Sequence, residues 1–343
     1  MHTRDTIRIY IKNPLTTLIW LPRPTTVVLV SRLNRVSFKD VGLKYSLSPD
    51  DEPVARIDPG ETLVLEIEDT YLGKIRKKGD PWCPSESTFG NPVVGPIYLN
   101  GAEKGSTISV AVEEIKPTIS RGFACFDEFC ENYLAGTPLF TFMEMHLPRD
   151  PKIYEIRNGL ISFSDNITIP YQPMIGTIGT APHPELQSMS SVVLPDRHGG
   201  NMDLPDIRPG STVYLPAFHK GALLYVGDVH AAQGDGEISG TAIEIPAEVK
   251  IRTDLLQGYP INWPRIENDS EYMSVATTSA GRSLEDAIRT AFMELITWME
   301  DKHGLNRFDG LLLCSHIGRI RLGNLWTVAA KIEKRYLGKH QIN

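Results

Sequence analysis

Short segments in which apolar and polar residues nearly alternate run along most of the chain, and several follow a turn rich in proline or glycine. Residues 63–68 follow Pro59-Gly60, residues 213–215 follow Pro209-Gly210, and residues 108–113 follow a similar turn. Proline presets φ at the first corner of a β-turn, and glycine accepts the positive φ of the second corner. Further strands are predicted in residues 151–182, 222–226, 237–245 and 248–254. The pattern predicts extensive antiparallel β-structure.

One segment near the C-terminus instead repeats its apolar residues at helical spacing. Ser283 stands at the N-cap position with Asp286 three residues later, and the apolar stripe continues until Gly304 follows two basic residues. We expect a helix over residues 284–301 that packs its apolar stripe on a sheet. A second, short helix is predicted over residues 307–314.

These patterns predict a mainly β protein with a smaller α+β part that carries the C-terminal helix. A chain of 343 residues is longer than a single core usually holds. We therefore expect an N-terminal β-rich domain in residues 1–150, a second β-rich domain in residues 151–260, and an α+β segment in residues 261–343.

The composition of the chain limits the kinds of partner that it can bind. The 35 basic and 42 acidic residues give a formal net charge of −7, and no basic tract suited to phosphates is present, which argues against nucleic acid as a partner. No run approaches 18 apolar residues, which argues against membrane insertion. The four cysteines lack CxxC spacing, and the first residues lack the apolar core of a signal peptide. We expect a cytoplasmic protein without a disulfide scaffold.

Side chains suited to metal binding and proton transfer are concentrated between His183 and Glu237. The densest stretch is residues 227–237, where Asp228 and His230 are two positions apart. In a strand such residues share a face, so the pair would either bind a metal together or let the carboxylate fix the tautomer of a catalytic histidine. A solvated structural pair is an equally simple interpretation, and Gly234 to Glu237 has the composition of a plain hairpin turn.

A second polar stretch, residues 197–203 (RHGGNMD), places two adjacent glycines between His198 and Asn201. Such a loop suits a backbone that passes close to another group, although an ordinary polar turn has the same composition.

Several of these segments together resemble the acetamidase/formamidase family. The similarity covers about residues 55 to 315, in the family's order. The segments that carry it are GPIY at 95–98, GAEKG at 101–105, PMIGTIG at 173–179, GNMD at 200–203, PGSTVYLP at 209–216, KGAL at 220–223 and GDVHAAQGDGE at 227–237.

The resemblance implies a β-sandwich of jelly-roll character joined to a smaller α+β part, assembled as a homo-oligomer of two or more copies. It also implies hydrolysis of short aliphatic amides to a carboxylate and ammonia, with a divalent metal at the site. The chain departs from the family in its first fifty residues, in residues 76–84, and in Gly318-Arg319-Ile320-Arg321, where the family commonly has an aspartate. If the replaced groups serve the site, the chain would have an altered substrate or no amidase activity.

Amide hydrolysis needs an activated nucleophile, stabilisation of charge on the carbonyl oxygen, and a proton for the leaving amine. The cysteines lie outside the matching segments, so the stock of His, Asp and Glu favours a water activated by a metal or a carboxylate. The predicted metal ligands are His198, Asp228 and His230, with zinc as the expected ion and calcium as the alternative.

We expect Glu103 or Glu237 to act as general acid or base, and Asn201 to orient the small amide substrate. Before the family pattern is considered, Glu103 is equally well explained as a charge on a surface turn. The competing hypothesis is a β-sandwich that binds a metal or a small polar ligand and catalyses nothing.

Overall fold

Strands form in most of the alternating segments, and they are the main secondary structure of the described residues. The computed structural model describes residues 34–80, 91–125, 150–192 and 195–338. The described residues from Arg35 onward belong to one compact unit. The elements below are those of the described residues.

The strands, in chain order, are β1 (Asn34–Ser37), β2 (Ser46–Leu47), β3 (Ala55–Ile57), β4 (Thr62–Ile67), β5 (Val93–Leu99), β6 (Thr107–Pro117), β7 (Arg121–Ala124), β8 (Lys152–Arg157), β9 (Leu160–Ser164), β10 (Ile167–Pro170), β11 (Met174–Gly179), β12 (Met189–Ser190), β13 (Gly199–Asn201), β14 (Thr212–Pro216), β15 (Leu224–His230), β16 (Ala247–Leu256), β17 (Arg265–Glu267), β18 (Glu271–Thr277), β19 (Arg319–Leu322) and β20 (Thr327–Glu333).

The helices are α1 (Phe38–Val41), α2 (Leu284–His303) and α3 (Arg307–Ile317), with 3₁₀ turns at Ser279–Gly281 and Lys334–Tyr336. The side chain of Ser283 accepts a hydrogen bond from the backbone N–H of Asp286 at 3.2 Å and caps α2. Gly304 ends this helix in the left-handed conformation. Both predicted helices are confirmed, and α3 is three residues longer than expected. No helix of the described ranges is both long and apolar enough to cross a membrane.

The strands assemble into two large sheets and two small ones. The nine-stranded sheet has the order β1-β4-β16-β6-β14-β17-β18-β20-β19, and the five-stranded sheet has the order β13-β11-β15-β5-β3. A four-stranded sheet, β10-β9-β8-β7, and the pair β12-β2 complete the fold. β15 lies at the centre of the five-stranded sheet, and all seven of its residues are buried.

The two large sheets share one hydrophobic core, to which β4 and β6 contribute from the nine-stranded sheet and β5, β11 and β15 from the other. On β14, Val213 and Leu215 face this core, whereas Tyr214 packs with the cluster beneath α2. The nine-stranded sheet is therefore covered by the five-stranded sheet on one side and by α2 on the other. The prediction of a mainly β fold is confirmed.

Two finer predictions differ from the structure. Residues 237–245 do not form a strand, because Gly236 and Gly240 turn the chain at positive φ and Glu244 makes only isolated bridges. The nine-stranded sheet takes strands from all three predicted segments, 1–150, 151–260 and 261–343. The expected boundaries at residues 150 and 260 therefore do not separate compact units.

Candidate active site

The centre of the candidate site is the end of β15, where it pairs with β11. Ile175 pairs with Val229 and Thr177 pairs with Gly227, so Gly176 and Asp228 face each other between these pairs. A Cβ on Gly176 would lie 2.5 Å from both Asp203 Oδ1 and Asp228 Oδ2. Glycine is therefore required at position 176, because any side chain there would occupy the space that the carboxylates fill.

His230 lies between two carboxylates. Its Nε2 is 3.2 Å from Oδ1 of Asp228 and 3.2 Å from Oε2 of Glu244, and all three residues are buried. Its Nδ1 is 2.9 Å from Oε1 of Gln233, whose amide nitrogen donates to the backbone carbonyl of Asp203. Because the Gln233 oxygen can only accept a hydrogen bond, Nδ1 carries a proton. Nε2 is then the ring nitrogen that faces the carboxylates.

The second oxygen of Asp228 is held by an amide and hydroxyl network. Asn91 Nδ2 donates to Asp228 Oδ2 at 2.7 Å and to Asn201 Oδ1 at 2.9 Å. Thr177 Oγ1 lies 2.7 Å from Asn201 Oδ1 and 3.3 Å from Asp228 Oδ2. Asn201 is thus part of the site, and its amide oxygen is already engaged by two donors.

A second pair of acids, Asp203 and Glu237, approaches the same histidine. Ligand atoms of Asp203, His230 and Glu237 lie within 4.8 Å of one another, as do those of Asp228, His230 and Glu244. Asn324 Nδ2 donates to Asp203 Oδ2 at 2.9 Å. The other oxygen, Asp203 Oδ1, is buried and has no hydrogen-bond partner among the described residues. Glu237 is the only member of the two groups that is not fully buried.

Three of the four acids are held in left-handed backbone. The φ angles are 50° for Asp203, 57° for Asp228 and 44° for Glu237. Residues with a Cβ disfavour this region, and such conformations persist only where the surrounding structure enforces them. The site is therefore built with local backbone strain.

Burial and mutual repulsion shift the protonation of this cluster. Burial, followed by the charge of Asp228, raises the pKa of Asp203 to about 7. Burial and Asp203 raise the pKa of Glu237 well above its usual value, and burial also raises the pKa of Glu244. Burial acts to lower the pKa of His230, but the carboxylates of Glu244 and Asp228 outweigh it and raise that pKa well above its usual value. The cluster therefore combines acids that retain protons near neutrality with a charged imidazole.

The donor set fits a divalent cation. Carboxylate oxygens and imidazole nitrogen are ligands of zinc, and Glu244 Oε2, a buried oxygen that faces only the His230 ring among the described residues, is the kind of atom that a cation would satisfy. The hydrogen bond from His230 Nδ1 to Gln233 orients Nε2 toward the acids, as is usual for histidine ligands.

The other sequence-predicted residues lie elsewhere. His198 is buried, but it belongs to neither group of the described residues, and burial lowers the pKa of its imidazole to about 4. Its place beside Asp228 and His230 is taken by Glu244. Glu103 is exposed on a surface turn, where its carboxylate lies 3.3 Å from Lys220 Nζ.

Sequence reasoning did not select five residues that the structure places at the site: Asn91, Thr177, Gln233, Glu244 and Asn324. Glu244 is a lone acid between Ile243 and Ile245. Its position in an apolar segment is a signal that could have identified it, since an acid buried there needs a partner.

Comparison with known proteins assigns the chain to a family. A family model described as the Acetamidase/Formamidase family matches residues 37–193 and 188–319, which together cover most of the chain. The chain belongs to the acetamidase/formamidase family. It is accordingly an amidase, a hydrolase of linear amides, and the sequence-based assignments of family and enzyme class are confirmed.

Named relatives agree with this membership. The chain is 42% identical over 260 residues to a formamidase of Methylophilus methylotrophus, a match that covers 61% of this chain and 63% of that protein. The crystal structure of an acetamidase from Yersinia enterocolitica superposes with a TM-score of 0.80 at 35% identity, covering 91% of this chain and 95% of that one. An acetamidase from Bacillus halodurans gives a TM-score of 0.77 at 26% identity, covering 90% and 100%.

Proposed function

We propose that this amidase hydrolyses short linear amides such as formamide and acetamide, releasing ammonia and a carboxylate at the cluster around His230. The observation that carries the proposal is the buried His230 between Asp228 and Glu244, with Asp203 and Glu237 beside the same ring. The relatives named as formamidase and acetamidase support the size of the substrate.

In this proposal the acids divide the proton transfers between them. Asp203, with a pKa of about 7, accepts a proton from water as the water oxygen bonds to the amide carbon. Glu237, whose raised pKa keeps it protonated, donates to the amide nitrogen as the carbon–nitrogen bond breaks and ammonia leaves. The carboxylic acid product then gives its proton to Glu237, and Asp203 passes the proton it took from water to ammonia, which leaves as ammonium, so that both acids return to their starting states.

The surrounding residues orient these groups. Asn201 was predicted to orient the substrate, but its amide oxygen accepts hydrogen bonds from Asn91 and Thr177. We therefore assign Asn201 the role of holding these two donors against Asp228. Gly176 leaves the space in which the carboxylates meet.

We further propose that Asp228, His230 and Glu244 hold a divalent cation, with zinc expected and calcium as the alternative; such a cation would take the place of the proton on His230 Nε2. A cation at this cluster would supply Lewis-acid activation of a water molecule. The predicted ligand His198 is replaced in this set by Glu244, because His198 lies outside the cluster.

The test uses Asp228→Asn and His230→Gln, assayed for metal content, thermal midpoint and ammonia release from formamide, acetamide and propionamide. His198→Gln is the matched control, since it also changes a buried histidine but one outside the cluster. We expect the two site variants to lose turnover and metal while the control keeps both.

Wild-type turnover in both site variants would place the reaction elsewhere. If the wild-type protein binds metal but releases no ammonia from any short amide, the hypothesis of a binding protein replaces this proposal. Assembly as a homo-oligomer and a cytoplasmic location remain predictions.

A further inference from the structure

The hairpin formed by β19 and β20 reaches the site from the C-terminal part of the chain. Its turn packs so closely on the backbone of Met202 and Asp203 that a Cβ on Gly323 would collide with the carbonyl oxygen of Met202 and lie 3.1 Å from the carbonyl group of Asp203. Gly323 O accepts a hydrogen bond from Gly236 N at 2.7 Å, and Gly236 forms a parallel bridge with Asn324. The hairpin therefore supports the turn that contains Glu237.

Arg321, on β19, adds an ionic contact to the same turn. Its Nε lies 2.9 Å from Oδ2 of Asp206, and one terminal guanidinium nitrogen lies 2.7 Å from Oδ1 of Asp235. Asp206 is buried, whereas Asp235 is exposed on the turn two residues before Glu237. The guanidinium thus connects a buried carboxylate to an exposed carboxylate on the turn that contains Glu237.

We propose that Arg321 is a positioning residue that holds the turn of residues 234–237 so that the carboxyl group of Glu237 stays beside His230 and Asp203. The inference rests on the role proposed above for Glu237. That residue has a φ of 44°, which glutamate disfavours, so the turn needs external contacts to keep this conformation. Arg321 and the hydrogen bond from Gly236 to Gly323 provide two such contacts from one hairpin.

The chemistry of the side chain explains why arginine suits this role. A guanidinium presents donors in a rigid planar fork, so one side chain reaches two carboxylates in fixed directions. Lysine offers a single charged point on a flexible stem, and it would satisfy Asp206 or Asp235 but would not fix the distance between them. The arginine-bearing segment noted in the sequence as a departure from the family thus acquires a function in this chain.

The experiment compares Arg321→Gln, Asp235→Asn and the double variant with Arg319→Gln. Arg319 is the matched control, because it lies on the same strand and contacts Glu271 and Glu333 but not the turn. Asp235→Asn leaves the contact between Arg321 and Asp206 in place, so it tests the turn without disturbing a buried carboxylate. The measurements are kcat and KM for acetamide, the thermal midpoint, and amide hydrogen exchange of residues 233–240.

We expect Arg321→Gln and Asp235→Asn to lower kcat by about 10–100-fold, the usual effect of removing an outer orienting partner, with KM little changed. The double variant should lose no more than the stronger single variant, because both act through one contact. Exchange of residues 233–240 should accelerate in these variants and stay at the wild-type rate in Arg319→Gln. Arg321→Lys should recover only part of kcat.

Unchanged kcat and unchanged exchange in Asp235→Asn would overturn the proposal, and so would an equal loss in Arg319→Gln. Failure of the proposed function gives a different result. If Glu237→Gln retains full turnover, the role of Glu237 is wrong, while the exchange measurements still decide whether Arg321 holds the turn.

Discussion

Replacing Gly176 with alanine is expected to disable the site by displacing two carboxylates at once. The added Cβ would lie 2.5 Å from Asp203 Oδ1, 2.5 Å from Asp228 Oδ2 and 2.9 Å from the backbone oxygen of Asp228. Ordinary contact begins at 3.4 Å, so each carboxylate oxygen must retreat by 3.4 − 2.5 = 0.9 Å. Both acids are buried, and β11 and β15 are central strands, which leaves little room for this movement.

The expected losses of rate and stability in Gly176→Ala can be estimated from the known effects of such substitutions. A displacement of catalytic groups by about 1 Å costs on the order of 100-fold in rate. Overpacking a filled interior costs about 1–3 kcal/mol of unfolding free energy. With an unfolding entropy of about 2 cal/mol/K per residue, this loss lowers the thermal midpoint of a folded unit of roughly 300 residues by about 2–5 °C.

The assay for Gly176→Ala measures ammonia release, metal content and thermal unfolding in parallel. Gly234→Ala is the control, because a Cβ on Gly234 meets no atom within 4 Å. We expect the control to keep its kcat and thermal midpoint. A Gly176→Ala protein with wild-type kcat would refute the reasoning, since the carboxylates would then tolerate a shift of nearly 1 Å.

Three further predictions concern protonation, support of Asp203 and assembly. The pKa of Asp203 is raised to about 7 in the folded chain, so the folded chain binds this proton more tightly than the unfolded chain does. In chelator-treated protein the thermal midpoint should therefore fall as the pH rises from about 4 to 7. Asp203→Asn should weaken this pH dependence, and an unchanged slope in that variant would contradict the prediction. Asn324→Ala removes the hydrogen-bond donor to Asp203 and should lower the free energy of unfolding, measured with urea, by about 1–3 kcal/mol. A urea midpoint equal to that of the wild type would contradict this prediction. Phe308, Leu311 and Leu312 form an exposed apolar stripe on α3, which we expect a second copy of the chain to cover. Light scattering should therefore report a mass above 38.2 kDa, and Phe308→Ser should lower it. A mass of 38.2 kDa for the wild type at all concentrations would count against self-association.

The fold was predictable from the sequence where a local signal dominates. The cap at Ser283, the apolar stripe after it and Gly304 define α2 without reference to the rest of the chain. The pairing order of the nine-stranded sheet was not predictable, because it joins strands such as β4 and β16 that are far apart in sequence. Alternation indicates that a strand has a buried face but not which strand lies beside it.

The candidate active site was likewise predictable only in part. Asp228 and His230 were selected from their spacing, and the structure brings their side chains to 3.2 Å. The reasoning behind that selection was incomplete, because Asp228 has a left-handed backbone and does not follow regular strand alternation. Glu244 and Asn324 were missed since no short spacing connects them to His230; tertiary structure alone brings them together.

The dependence of the site on the β19–β20 hairpin has a consequence for synthesis of the protein. Asn324 donates to Asp203 and to the carbonyl of Asn201, so residues separated by more than one hundred positions must meet before these acids are held. Contacts between such distant residues form slowly, and domains are completed only as their last elements emerge from the ribosome. A nascent chain that ends before β19 therefore has its acids but not their support. Activity should appear late in translation, after nearly all of the described chain has been released.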